Sequence, residues 1–114
     1  MDIDLAEKLF QFAVNVIKFL RHLPNEPEFN NIRFQLSKSS SSSGANYEEA
    51  QGAVSRPDFG NKVAISLKEM READYWLRIL KELYPNNAEV ERLVKESFEL
   101  KNILGSICVK VSRR

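Results

Sequence analysis

The sequence is short of the side chains that most enzymes and metal sites require. It has one cysteine, Cys108, which cannot form an internal disulfide, and one histidine, His22, which cannot supply a multi-histidine metal site. No run of 18 apolar residues is present that could span a bilayer. We therefore expect a soluble protein with no catalytic residues, no metal site, no cofactor and no membrane partner.

The sequence also has little excess charge of either sign. Seventeen Lys and Arg against sixteen Asp and Glu give a net charge of +1, which neither requires nor excludes a nucleic-acid partner. Residues 1–7 carry acids where a signal or transit peptide carries bases, so the cytoplasm is the expected compartment. The 114 residues suffice for one compact core, which predicts a single domain over residues 1–114.

Proline- and asparagine-containing turns divide the chain into four segments, each with helical spacing of apolar residues. The spacing of a capping box occurs at three predicted helix starts, as Asp4 with Glu7, Ser55 with Asp58, and Asn86 with Glu89. These patterns predict helices near residues 4–22, 27–53, 56–84 and 87–111. The expected fold is an all-α, up-and-down four-helix bundle.

The first predicted helix has a wider apolar face than a surface helix needs. Two rows of apolar residues share it: Leu5, Leu9, Phe12, Val16 and Leu20 in one, and Ile3, Ala6, Phe10, Ala13 and Ile17 in the other. One row is enough to face the core of a bundle, so the second row predicts a subunit interface that includes Ile3, Phe10 and Ile17.

The second segment contains a serine run, residues 37–43, whose composition is typical of a flexible linker. The apolar and small residues nevertheless keep a period near 3.6 through it, from Phe29 to Val54. A linker has no reason to keep that period, so we favour a continuous helix, with a loop as the alternative. Small residues allow two helices to approach closely, which places Ser40 and Ser43 in the expected subunit interface.

The residues SKSSSSSGANYEEA, from Ser37 to Ala50, together with Phe59 and ISLKEMREADYWLRIL over residues 65–80, resemble the four-helix-bundle proteins encoded in ribosomal-RNA intervening sequences. The resemblance covers nearly the whole chain. It implies an up-and-down bundle that assembles as a homopentamer and has no established enzymatic activity. The accessory proteins of diversity-generating retroelements are related and are basic, whereas this chain has a net charge of only +1.

The most specific part of the resemblance is a motif on the second helix, comprising Ser40, Ser43, Gly44, Asn46 and Glu49. Asn46 and Glu49 are three residues apart and share one helix face. We expect a buried polar cluster that fixes the register of the bundle, because buried polar groups must find partners. A ligand site is the alternative.

Other polar and aromatic residues receive structural interpretations. The third helix interleaves acids and bases, namely Glu69, Glu72 and Asp74 with Lys68, Arg71 and Arg78. A di-metal carboxylate site is not expected there, because such sites in helix bundles require Glu-x-x-His pairs and the sequence has one histidine. We expect an ion-pair network instead. Tyr75 and Trp76 are expected in the core or an interface, although they could stack on a nucleic-acid base. His22 is expected to complement the end of the first helix, and Cys108 to pack as a small apolar residue.

The last fourteen residues contain four bases and no acid: Lys101, Lys110, Arg113 and Arg114. They form a candidate patch for an anionic partner, although bases at the end of a helix also complement its dipole. The function expected from these observations is a non-enzymatic, homo-oligomeric scaffold. The alternative is an accessory factor that binds RNA through the basic C-terminal patch.

Overall fold

The computed structural model describes residues 4–113, which form four α-helices and no strand. Helix α1 spans Leu5–Leu20, α2 Pro27–Gln51, α3 Arg56–Leu83 and α4 Ala88–Ser112. The predicted all-α four-helix bundle is confirmed. The first three helices end one or two residues before the predicted ends, and α4 extends one residue beyond its predicted end.

Side-chain caps define the starts of two helices. The Ser55 hydroxyl accepts a hydrogen bond from the Asp58 amide at 3.1 Å, and the Asp58 carboxylate accepts one from the Val54 amide at 3.3 Å. At α4 the cap is Asn87, which accepts from the Val90 amide at 3.0 Å, so the Asn86 prediction is wrong by one residue. Asp4 precedes α1 but makes no capping hydrogen bond, contrary to the prediction.

The helices pack in the cyclic order α1, α2, α3, α4, and within residues 4–113 close backbone approach is confined to neighbours in that order. The α2–α3 contact is the most extensive and the α1–α4 contact the least. The α1/α2 side of the bundle therefore lies opposite the α3/α4 side. The bundle measures 45 × 28 × 22 Å. Its largest fully buried apolar side chains come from all four helices and are Leu9, Phe12, Val16, Leu36, Val63, Met70, Leu77, Leu80, Val90, Leu93 and Leu104.

Helix α2 runs without interruption through the serine run, as the periodicity predicted. The hydroxyls of Ser39, Ser40 and Ser41 donate to backbone carbonyls three or four residues earlier, with distances of 2.8–3.3 Å. Serine side chains bonded in this way expose little polar surface to a neighbouring helix. The serine run can therefore pack as a row of small residues.

Within the described residues, none of the helices combines the length and the apolar character needed to cross a bilayer.

Candidate functional site

The family-motif residues lie on α2, and the central one joins two helices of the same chain. Ser43 on α2 donates to the backbone carbonyl of Ser66 on α3 at 2.8 Å, and the Ser66 hydroxyl donates to the carbonyl of Ser43 at 2.7 Å. Both serines are fully buried. This reciprocal pair sets the relative register of α2 and α3, because sliding either helix would break both hydrogen bonds.

Gly44, the next motif residue, lies where α2 approaches α1. A Cβ atom built on Gly44 would lie 3.5 Å from the Leu9 Cβ and 3.6 Å from the Leu9 backbone carbonyl. These are ordinary van der Waals distances, so the position has room for one further carbon. A longer side chain would meet the backbone of α1, which explains why a small residue occurs at this position.

Asn46 and Glu49 do not join the serines in a buried cluster, so that prediction is wrong. The Asn46 amide donates to the Ser42 carbonyl at 2.9 Å, one turn earlier in the same helix. Glu49 is exposed and pairs with Lys62 of α3 at 2.8 Å. The hydrogen bond from Lys62 to Glu49, reinforced by the attraction between their charges, raises the pKa of Lys62. The motif residues thus serve separate contacts.

The structure corrects part of the predicted subunit interface. Ser40 and Ser43 have no exposed surface in the single chain, so they pack between helices of one subunit and cannot line a contact between subunits. The small residues predicted a close contact between helices, and such a contact is present. It joins helices of one subunit, whereas the prediction placed it between subunits. Ile3 lies outside the described residues.

Phe10 and Ile17, by contrast, are exposed apolar residues on α1. The Phe10 side chain is 56% exposed and that of Ile17 37%. Both residues line a groove of about 280 Å³ between α1 and α2, which we call the α1/α2 face. Its lining residues are Ala6, Leu9, Phe10, Ala13, Val14, Ile17, Ser41, Gly44, Ala45 and Glu48. The predicted second apolar row of α1, from Ala6 to Ile17, therefore lines one continuous groove.

The predicted ion-pair network on α3 is present only around Asp74. This carboxylate is 4% exposed and accepts a hydrogen bond from the Ser97 hydroxyl of α4 at 2.8 Å. It also pairs with Arg78 at 3.2 Å and with Lys101 of α4 at 3.3 Å. The burial of Asp74 was not predicted from the sequence. The available signal was Ser97, the one polar residue in the apolar row of α4.

The ion-pair network around Asp74 engages one residue of the predicted basic C-terminal patch, Lys101, and so separates it from the others. Lys101 is largely buried and engaged with Asp74, so its charge is offset within the bundle. Lys110 and Arg113 are exposed at the end of α4, and Arg114 lies outside the described residues. Nine residues of helix, about 13 Å, separate Lys101 from Lys110. Lys101 therefore does not form one patch with the C-terminal residues.

The aromatic, cysteine and histidine residues for which the sequence predicted a structural role differ in how far they are buried. Trp76 packs against the core and donates its ring N–H to Glu72 at 3.3 Å, whereas Tyr75 is 51% exposed and does not belong to the core. Cys108 also packs against the core, and its burial raises the pKa of the thiol, which the charge of Arg71 partly opposes. His22 is exposed in the turn after α1.

Among residues 4–113, no three His, Cys, Asp or Glu side chains come together in a group that could hold a metal ion. Every buried polar side-chain atom in this part of the chain has a hydrogen-bond partner. The described polar groups of the interior are thus satisfied within the chain, some within one helix and some between helices.

The sequence matches the family model of the 23S rRNA-intervening sequence protein over residues 1–106. A solved structure from Bacteroides thetaiotaomicron, described as a protein with unknown function from the S23 ribosomal protein family, has the same fold with a TM-score of 0.82. It is 35% identical in sequence, and the match covers 92% of this chain and 98% of that one. No curated protein matches the sequence.

Proposed function

Since the chain belongs to the 23S rRNA-intervening sequence protein family, we propose that it is a non-enzymatic scaffold of the cytoplasm that assembles into a homopentamer through the α1/α2 face. The observation that carries the proposal is the exposed apolar groove containing Phe10 and Ile17. Apolar side chains at the centre of an interface supply much of the free energy of assembly. The lone Cys108, which needs no oxidising compartment, is consistent with the cytoplasm.

The family resemblance implies five subunits, and a ring of five subunits restricts which surfaces can meet at each contact. A ring of five subunits has head-to-tail contacts, so each subunit uses two different surfaces, whereas a two-fold dimer pairs one surface with itself. The α1/α2 face would thus be one half of each contact in the ring. A chain that paired this face with itself would form a dimer instead.

The test is the molar mass measured by light scattering, first for the unaltered protein. A pentamer would have a mass of about 65 kDa, five times the 13.1 kDa of the chain, and a dimer about 26 kDa. A mass near 65 kDa supports the proposal. A mass of 13 kDa at roughly micromolar concentration, the range in which standard interfaces are occupied, contradicts it.

Two matched variants then locate the interface. Phe10→Glu places a charge in the α1/α2 face, and Phe98→Glu places the same charge at an equally exposed phenylalanine of α4, since the exposed fractions are 56% and 55%. We expect Phe10→Glu to reduce the mass while the fold, followed by circular dichroism, persists. Loss of assembly in Phe98→Glu alone would contradict the role of the α1/α2 face. Loss in both variants would identify α4 as the second surface of the ring.

We propose nucleic-acid association as a second candidate function. Lys110 and Arg113 are both exposed at the end of α4, in a segment that contains no acid from residue 101 onward. Backbone phosphates are the natural partners of such bases. The double variant Lys110→Gln with Arg113→Gln should weaken a salt-sensitive complex with RNA. Unchanged affinity would exclude these two residues as the site.

A further inference from the structure

A second groove, on the opposite side of the bundle from the α1/α2 face, lies between α3 and α4. Its volume is about 700 Å³, and its lining includes Arg71 and Arg78 from α3 and Lys101 and Asn102 from α4. Among the described residues that line it, Asp74 is the one carboxylate. Three cations against one anion leave a net charge of +2 in a chain whose total net charge is +1.

The buried Asp74 carboxylate positions two of these cations. It pairs with Arg78 at 3.2 Å and Lys101 at 3.3 Å, and Ser97 holds its other oxygen at 2.8 Å. The Arg78 side chain still exposes 62% of its surface, so it remains accessible to a ligand. A fixed cation loses little conformational entropy on binding an anion, which favours affinity.

Two cations of α3 lie along the groove, on the same face of the helix. Arg71 and Arg78 are seven residues apart, which is two helical turns or about 10 Å on one helix face. Arg71 is exposed, and its charge lowers the pKa of Cys108, which lies on the other wall of the groove, against the larger upward effect of burial. The positive charge therefore extends along the groove and involves both helices.

Two exposed aromatic rings lie beside the groove, one on each helix, outside the residues that line it. Tyr75 lies between Arg71 and Arg78 in the sequence, is 51% exposed, and has the Arg78 guanidinium 6.0 Å from its ring centroid. Phe98 on α4 is 55% exposed and lies one turn before Lys101, whose ammonium is 5.0 Å from its ring centroid. Contact with Trp76 in an edge-to-face arrangement, with ring centroids 5.3 Å apart, supports the Tyr75 ring.

We propose that this α3/α4 groove, with the two rings beside it, binds single-stranded nucleic acid, with backbone phosphates on Arg71 and Arg78 and bases stacked on Tyr75 and Phe98. Single strands are bound by a positively charged groove that follows the backbone and by aromatic side chains that stack on the bases. An acidic peptide would use the cations but has no need of exposed rings. The inference rests on the proposed nucleic-acid association and extends the site from the C-terminal residues to the groove.

The experiment measures fluorescence anisotropy of labelled oligouridine and oligothymidine of about 12 nucleotides, a length within the site sizes of single-strand binding domains. The whole protein is titrated at several salt concentrations. Tyr75→Ala should weaken binding by roughly 5- to 150-fold, the effect of losing one stacked base. Arg71→Gln should reduce the slope of log affinity against log salt by about 0.7, the value for one lost phosphate contact on a single strand.

Three controls separate the outcomes. Tyr75→Phe keeps the ring and should bind like the unaltered protein. Lys18→Gln removes one exposed positive charge from α1, which does not line the groove, and should also leave binding unchanged. The double variant of Lys110 and Arg113 described above tests the C-terminal residues.

Loss of affinity in Tyr75→Ala and a reduced salt slope in Arg71→Gln, with both single-variant controls unaffected, support the groove. Binding that is lost only in the C-terminal double variant overturns the groove and retains nucleic-acid association. No binding of either oligonucleotide at about 50 mM salt, where phosphate contacts are strong, overturns both. Polyglutamate provides the last comparison. If it competes with RNA, binds more weakly to Arg71→Gln and binds normally to Tyr75→Ala, the groove is a site for acidic peptides and the proposal is overturned.

Discussion

Replacing Gly44 by alanine should stabilise the protein, although this glycine is part of the motif that most resembles the family. The new Cβ would lie 3.5 Å from the Leu9 Cβ, which is an ordinary contact distance. Gly44 is not in a left-handed conformation, so alanine adds no backbone strain. Alanine favours a helix interior over glycine by about 0.8–1.0 kcal/mol, and nothing in the α1–α2 contact opposes that gain.

Gly105 and Gly60 provide matched comparisons. A Cβ at Gly105 in α4 would meet no atom within 4 Å, so Gly105→Ala should gain the full helix preference of about 1 kcal/mol. A Cβ at Gly60 in α3 would lie 3.0 Å from a methyl carbon of Val111, so the Val111 side chain must move and most of the gain is lost. Gly44→Leu should cost about 1–3 kcal/mol through overpacking against the α1 backbone.

The assay is urea unfolding followed by circular dichroism at one fixed protein concentration, because assembly makes the apparent stability depend on concentration. The expected order of stability is Gly105→Ala equal to or above Gly44→Ala, then Gly60→Ala. For a chain of this size, 1 kcal/mol corresponds to roughly 4 °C in melting temperature. A Gly44→Ala protein less stable than the unaltered protein by more than about 1 kcal/mol, beside a stabilised Gly105→Ala, would refute the α1–α2 spacing described above.

Two further predictions concern buried groups. Ser43→Ala and Ser66→Ala should each cost about 1 kcal/mol of unfolding free energy, and the double variant should cost less than the sum because the two hydroxyls act as one pair; additive costs would show that they act independently. The pH profile of Cys108 alkylation should have its midpoint above that of free cysteine, because burial raises the thiol pKa and the reactive thiolate forms only at higher pH. Arg71→Gln should move this midpoint further upward, and a midpoint below that of free cysteine would contradict the buried environment.

The sequence was sufficient to predict the number of helices and the course of α2. Apolar spacing keeps one period from Phe29 through the serine run, and that period reports a helix whatever the composition between the apolar residues. The second apolar row of α1 was also predictable, since Phe10 and Ile17 repeat at helical spacing outside the row that faces the core.

Which helix a buried polar residue faces could not be predicted in the same way. The periodicity places Ser43 on a contact face of α2, but only the tertiary arrangement places Ser66 opposite it. The same holds for Asp74, whose partners Ser97 and Lys101 lie 23 and 27 residues later. A single sequence gives the face of each helix but not the rotation and height at which two faces meet, and these determine which polar groups pair.

The serine run in α2 has a consequence for the order in which the chain folds. Serine and glycine are weaker helix formers than alanine or leucine, and helices gain most of their stability from packing an amphipathic face rather than from propensity. Residues 27–51 emerge from the ribosome before Ser66, whose hydroxyl and carbonyl complete the hydrogen bonds of Ser43. We therefore expect α2 to be only partly helical during early synthesis and to become fully helical when α3 is available to pack against it. The segment that most distinguishes this sequence is thus expected to gain its structure together with α3, although it is synthesised before that helix.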